Sequence, residues 1–246
     1  MMGNGSSDDR AFDAMQAMLF HMHRKQDMQP LADAVRLHFG VGRSMNRANR
    51  HLWERAGLRR NDALLFSLMK DIARYSRLNA YGDHPRIGSL KEASPYLAAN
   101  FIGLHVERFC MFCVNQRGCL KERVVLSEGI ADTALFDLRR LLVETVRIHP
   151  LGGVIIAHNH PGGTLRPSQE DIDCTLEAID ALSALNAPLL DHVIVANGKV
   201  VSLRANGFIP EEQWLAQEPK HRILRGWIPA QENSAPVRKQ KKADNP

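Results

Sequence analysis

The chain has 246 residues, 44% of them hydrophobic and 24% charged, with a formal net charge of +5. That balance describes an ordinary soluble protein with enough chain for one large domain and a smaller one. No apolar run approaches the roughly 20 residues of a membrane span, and Ala11 to Phe20 is broken by Asp13 and Gln16, so a cytoplasmic protein with no signal peptide and no membrane contact is expected. The charge is unevenly placed. Residues 1–86 hold 14 Lys/Arg against 9 Asp/Glu, residues 87–219 hold 11 against 16, and residues 220–246 hold 7 against 2. Only the two ends are therefore candidates for nucleic acid.

In chain order, residues 1–10 are Gly-, Ser- and Asp-rich and read as a disordered lead-in. Residues 11–79 read as a helical domain of about four short helices with three apolar stripes. Phe12, Met15, Met18 and Leu19 form the first, Leu31, Ala34, Val35 and Leu37 the second, and Leu64, Leu65, Leu68 and Ile72 the third. Gly40-Val41-Gly42 and Ala56-Gly57-Leu58 each permit a tight hairpin between helices. Arg43, Arg47 and Arg50 then share one helix face at i, i+4, i+7, where they could contact DNA phosphate or simply be solvated. Residues 80–86, with Gly82 and Asp83, read as a linker.

Beyond the linker the pattern changes to mixed elements. A helix from Ser89 to Ala98 is followed by an apolar strand from Val106 to Val114, a turn at Asn115 to Gly118 and a hairpin partner from Cys119 to Leu126. Cys110-x-x-Cys113 invites a metal reading, but residues three apart on a strand face opposite sides and no second pair completes a site, so buried reduced thiols are expected. Asp132 to Ile148 is an amphipathic helix with Leu135, Leu138, Leu142 and Val146 along one side. Val154 to Ala157 is a short buried strand, Ser168 to Leu185 a helix, and Asp191 to Ala196 a strand that turns at Asn197-Gly198 to pair with Val200 to Leu203. Elements in this order argue for an α/β or α+β fold with a mixed sheet packed by helices. Residues 210–246 read as a basic flexible tail ending Arg238-Lys239-Gln240-Lys241-Lys242, which could hold phosphates electrostatically.

The stretch with chemistry begins where the short strand ends. His158 and His160 are two apart, so an extended backbone turns both imidazoles to one side and Asn159 to the other. Pro161 ends the ladder, Gly162-Gly163 permits a reversal, and Pro167-Ser168 opens a helix with Asp171 in its first turn. Two imidazoles and a carboxylate could converge there, which is the ligand set of a catalytic Zn2+ site with one position left to water. Ser168-x-x-Asp171 is also an ordinary helix start, a serine N-cap with an acid at N3, and that role is compatible with the other.

His158-x-His160-x7-Ser168-x2-Asp171 resembles the JAMM metal signature of JAB/MPN-type metallopeptidases. The longer wording, His158-Asn159-His160-Pro161-Gly162-Gly163, Pro167-Ser168-x-x-Asp171, Leu190-Asp191-His192-Val193-Ile194-Val195 and Val201-Ser202-Leu203, resembles the RadC family in particular, over about Ile87 to Ile209. Gly162 departs from the serine that the family commonly has there. The resemblance implies an MPN/JAB-like metal domain at 87–209, preceded by a small, degenerate helix-hairpin-helix-like domain. It implies His158, His160 and Asp171 as zinc ligands and a metal-bound water that hydrolyses an amide bond of a peptide or protein substrate. Ser168 would donate to the oxyanion, and a glutamate well upstream would act as general base. Glu107, Glu122, Glu128 and Glu144 are the candidates. Glu107 is favoured because it shares a strand face with Phe109, Met111 and Cys113, where a carboxylate needs a partner; Glu128, beside Gly129, is the second choice. The family's DNA-repair label suits the alternative of a DNA-associated accessory protein, with contacts through the helical domain and the basic tail. A metal-bearing scaffold that binds without cutting is a further alternative.

Overall fold

The computed structural model describes residues 7–23, 26–40, 45, 48–129, 137–217 and 227. The chain divides into two compact units, Met1–Ala80 with Ile102–His105, and Tyr81–Phe101 with Val106–Pro246.

The first unit has four helices among its described residues: α1 (Ser7–Met22), α2 (Gln29–Phe39), α3 (Arg50–Arg55) and α4 (Arg60–Asn79). Pro30 stands in the first turn of α2, where its missing N–H costs nothing. Asn49 caps α3 by accepting from Leu52 N at 3.0 Å. Phe12, Met15, Leu19, Val35, Trp53 and Phe66 fill the core, with Trp53 tilted between Phe39 and Phe66 at centroid distances of 4.7 and 5.0 Å. Gly57 turns the chain between α3 and α4 at φ 103°, a conformation that L side chains rarely adopt.

Three expectations change here. Helix α1 begins at Ser7, inside the stretch read as a disordered lead-in. The third apolar stripe faces outward: Leu64, Leu65, Leu68 and Ile72 are exposed, because Ala63 and Phe66 occupy the inward side of α4 and buried Asp62 pairs with His23 at 3.0 Å. In α2, Leu37 is exposed as well. Of the arginine strip, Arg43 and Arg47 lie outside the described residues, as do residues 41–42 of the first hairpin. Arg50 begins α3 and sits 3.4 Å from Glu54 one turn on.

The second unit is built on a five-stranded mixed sheet of order β2-β1-β3-β4-β5. Its elements are α5 (Leu90–Asn100), β1 (Glu107–Val114), β2 (Leu120–Gly129), α6 (Leu138–Ile148), β3 (Gly153–Asn159), α7 (Gln169–Ala184), β4 (Leu189–Ala196), β5 (Lys199–Ser202) and α8 (Glu211–Leu215). The hairpin β1–β2 is antiparallel, β3 is antiparallel to β1 and parallel to β4, and β5 returns antiparallel to β4. The parallel pair needs a crossover, which α7 supplies. Every residue of β3 and β4 is buried, as expected of central strands covered on both faces. Phe109, Met111, Cys113, Val154, Ile156 and Ile194 join Leu141, Ile148, Ala178, Ile179 and Leu182 of α6 and α7 in one core. On the other face, Tyr96 of α5 meets Phe112 edge-on at 6.1 Å.

Cys110 and Cys113 are free and buried on opposite faces. Burial pushes their thiols up to about 11 and about 12. In α6 the inward side is Leu141, Thr145 and Ile148, whereas Val146 is 61% exposed; residues 130–136, with Leu135, lie outside the described set. The stretch read as a linker is packed against its own unit, with Leu120 N donating to Pro85 O at 2.9 Å and Arg86 bridging to Cys119.

The start of the expected tail is corrected more strongly. Helix α8 lies inside it, and Trp214 is fully buried in the core of the second unit, with the Arg204 guanidinium 5.5 Å above its ring. Gln217 answers both backbone groups of Leu189, at 2.7 and 3.1 Å. A polar composition hid one large aromatic side chain whose burial outweighs its neighbours. Residues 218–226 and 228–246, with the terminal lysines and arginine, lie outside the described set. No described helix is long and apolar enough to cross a membrane.

Candidate metal centre

Strand alternation sets the first part of the site. His158 stands next to last in β3, on the face shared with Val154 and Ile156, and Asn159 turns to the other face. There its Oδ1 accepts from Arg108 N at 2.9 Å and its Nδ2 donates to Val106 O at 3.0 Å, tying the start of β1 to the end of β3. Antiparallel register places Phe109 opposite His158. The same count carries Glu107, two residues earlier, abreast of His160.

A tight reversal follows, with Gly163 N donating to His160 O at 3.0 Å and Gly163 at φ 89°. A Cβ on Gly163 would meet the Asn197 amide at 2.9 Å, so two turns pack closely here. Ser168 then caps α7 in a reciprocal capping box. Asp171 N donates to Ser168 Oγ at 3.0 Å, while Asp171 Oδ2 accepts from Ser168 N at 2.7 Å and from its hydroxyl at 2.8 Å. That box aims the other carboxylate oxygen of Asp171 at the histidines.

The structure thus brings together four of the residues singled out in the sequence. His158 Nε2 lies 2.8 Å from His160 Nε2 and 3.0 Å from Asp171 Oδ1, and His160 Nε2 lies 3.5 Å from Asp171 Oδ2. Glu107 Oε1 is 3.9 Å from His158 Nε2. His160 Nδ1 faces Thr164 O at 3.1 Å; a carbonyl only accepts, so Nδ1 carries the proton and the lone pair is left on Nε2. Ser168 stands at the edge of the group with its hydroxyl engaged by Asp171.

The remaining glutamates are elsewhere. Glu128 pairs with Arg108 at 2.8 Å on the opposite face of the sheet, and Glu122 and Glu144 both reach Arg147 at the surface. The register, rather than any property of the glutamates themselves, separates Glu107 from them.

Whether a cation fits can be judged from the unmet demands of these side chains. His158 and Asp171 are completely buried, and Asp171 Oδ1 has no hydrogen-bond donor. A carboxylate oxygen in that position is costly unless a positive charge meets it. Burial alone would raise the Asp171 carboxyl, but His158, His160 and the Ser168 N–H outweigh it and hold the group far below the usual carboxylate range. At His160 burial disfavours the charged ring, and the pull of Asp171 and Glu107 overcomes it and raises the pKa. The buried, donorless Asp171 Oδ1 is the point at which a positive charge would be met. Donor atoms on one zinc ion at 2.0–2.2 Å are at most about 4.4 Å apart, and the separations of 2.8, 3.0 and 3.5 Å among these side chains are within that limit, with the two histidines facing different oxygens of Asp171. His158, His160 and Asp171 could hold such an ion, with Glu107 beside it.

Two further residues belong to the arrangement and were not assigned from sequence. His192 of β4 approaches His158, its Nε2 2.8 Å from His158 Nδ1, and Thr175 Oγ1 lies 2.6 Å from His192 Nδ1. Burial, and next the neighbouring His158, lower the His192 pKa well below its ordinary value. The one signal for Thr175 was its place a single helical turn after Asp171; His192 required the β3–β4 register.

A mixed sheet whose central strand runs out through His158-Asn159 into His160, followed by a helix headed by Ser168 and Asp171, defines a JAB/MPN-like domain. A family model described as RadC-like JAB domain matches residues 87–208, and through this domain the chain belongs to the RadC family. Among similar proteins, a UPF0758 protein of Thermosynechococcus vestitus is 37% identical over 123 residues, 50% of this chain and 49% of that one. Another, of Gloeothece citriformis, is 40% identical over 98 residues, 40% of each chain. A UPF0758 protein of Roseiflexus castenholzii is 25% identical over 178 residues, 72% of this chain and 76% of that one. The chain thus spans about half the length or less of the first two relatives.

Proposed function

We propose that this chain is a zinc-dependent metallopeptidase or isopeptidase of JAMM type that hydrolyses an amide bond in a peptide or protein. The observation that carries the reading is the donorless, fully buried Asp171 Oδ1, set beside the Nε2 atoms of two histidines with a carboxylate 3.9 Å from one of them. His158, His160 and Asp171 would hold the ion. Bound there, zinc supplies Lewis acidity toward a carbonyl oxygen and makes water acidic near neutral pH.

The chain's own groups supply the rest. Glu107, partly buried on the histidine face of β1, takes and returns a proton at its Oε1. The Ser168 hydroxyl, released from Asp171 Oδ2, donates to the oxygen on which negative charge develops. Phe109 and the buried end of β3 exclude water from the rear of the site.

Metal analysis of the purified full chain tests this reading. About one zinc per chain is expected, and neither His158→Ala nor Asp171→Ala should retain it. A wild type that takes up no zinc overturns the proposal.

A further inference from the structure

The side chains behind His158 form a hydrogen-bond chain that runs from the backbone oxygen of Asp171 through Thr175 and His192 to His158 Nδ1. From it we infer that Thr175 and His192 are positioning residues that hold the His158 proton on Nδ1 and so turn the Nε2 lone pair into the metal site. The inference rests on the zinc reading above and adds to it the device that makes His158 a ligand.

The proton assignments follow one from another. Thr175 Oγ1 lies 2.5 Å from the backbone oxygen of Asp171, one helical turn earlier. A carbonyl has no proton to offer and a hydroxyl has one, so Thr175 donates to Asp171 O. Only lone pairs remain on Oγ1 to meet His192 Nδ1 at 2.6 Å, so that nitrogen is the N–H donor. His192 is fully buried against a second imidazole, which disfavours a charged ring; its single proton is therefore on Nδ1, and Nε2 is an acceptor. His158 Nδ1, 2.8 Å from that acceptor, must donate. The lone pair of His158 then sits on Nε2, the atom facing His160 and Asp171 Oδ1.

Burial makes this assignment hard to escape. Thr175, His192 and His158 are each 0% exposed, so water does not replace a missing partner. Within the chain from Thr175 through His192 to His158, reversing any one proton sets two donors or two acceptors against each other. The rings cannot swing away either, because Phe109 stacks on His158 at 4.9 Å and packs against His192 at 5.2 Å. Asp171 serves both ends of the arrangement: its carboxylate faces the ion site and its carbonyl anchors the far end of the chain. Such outer partners orient a ligating histidine and raise its basicity.

Long-range proton–nitrogen correlation spectra of the imidazoles, recorded on the zinc-free full chain at pH ~8, where free imidazole is neutral, test the assignment directly. His158 and His192 are both expected in the Nδ1–H form. Thr175→Val keeps the shape and removes the hydroxyl; zinc affinity, measured by competition with a chromophoric chelator, should fall roughly 10–100-fold, and Thr175→Ser should restore it. A wild-type His158 with its only proton on Nε2 overturns the inference, as does a folded Thr175→Val protein with wild-type zinc affinity. If Thr175→Val does not fold, the wild-type spectrum alone decides. A wild type with both rings in the expected form but no zinc uptake refutes the peptidase reading and leaves the proton assignment standing.

Discussion

The ring of Phe109 lies flat on the imidazole of His158, with centroids 4.9 Å apart and planes 10° from parallel. The two residues are register partners on β1 and β3, so the strand pairing itself sets the stack. Phe109→Ala should therefore act twice. It should cost about 3–5 kcal/mol of stability, as large-to-small changes at buried aromatics do, and weaken zinc binding by freeing the His158 ring. Phe109→Leu should retain most of the stability and lose part of the affinity. Urea unfolding and chelator competition separate the two effects; a Phe109→Ala protein with unchanged zinc affinity would show that the ring only fills space.

Glu107→Gln keeps the size of the side chain and removes its capacity to take a proton. Zinc content should stay at the wild-type level while hydrolysis falls by about 10²–10⁴-fold. Metal analysis and a peptidase assay on the same preparations check both halves. Unchanged binding of a protein partner, with no turnover in either form, would instead support a metal-bearing scaffold.

Asp191 predicts a pH effect on folding. It is fully buried beside the site, accepting from the Ser202 hydroxyl and from Arg204 N at 3.2 Å. Burial pushes its carboxyl up to about 7 against the opposing pull of those hydrogen bonds. From about pH 4 to about 7 the native protein keeps a proton that the unfolded chain has shed, so this group's contribution is whole below that window and is lost as pH rises through it. The loss amounts to at most about 4 kcal/mol, at 1.36 kcal/mol per unit of pKa. Asp191→Asn removes the titration. The stability of the wild type relative to this variant should decline across the window in urea unfolding, and a difference that does not vary with pH would count against the assignment.

Trp214→Ala should destabilise the second unit by about 3–5 kcal/mol, because α8 delivers that ring to the core shared with α7 and β4. Thermal or urea unfolding measures it. A change below about 1 kcal/mol, the range of surface substitutions, would place residues 211–217 outside the cooperative fold.

Much of the second unit was legible because its signals are local. The apolar runs of β1, β3 and β4, the Asn197-Gly198 turn and the serine before α7 each depend on a few neighbouring residues. The first unit shows the limit of such signals. Helix α4 has the right period, but Leu64, Leu65, Leu68 and Ile72 make as good a stripe as Ala63 and Phe66 do. The inward side was decided by Trp53 against Phe66 and by Asp62 against His23, contacts between residues far apart in the chain. Trp214 was hidden for the opposite reason, as one buried ring in a stretch polar on average.

For the site, the division is sharper. The sequence by itself determined that His158 and His160 share a side, since a pleated strand repeats every two residues, and that Asp171 stands in the first turn of a helix capped by Ser168, since capping is chemistry over four residues. Tertiary structure alone decided that Glu107 rather than Glu122, Glu128 or Glu144 lies beside His158, and that His192 and Thr175 stand behind it. Those choices depend on which strand pairs with which and in what register, and a shift of one residue would turn every side chain on that strand to the other face.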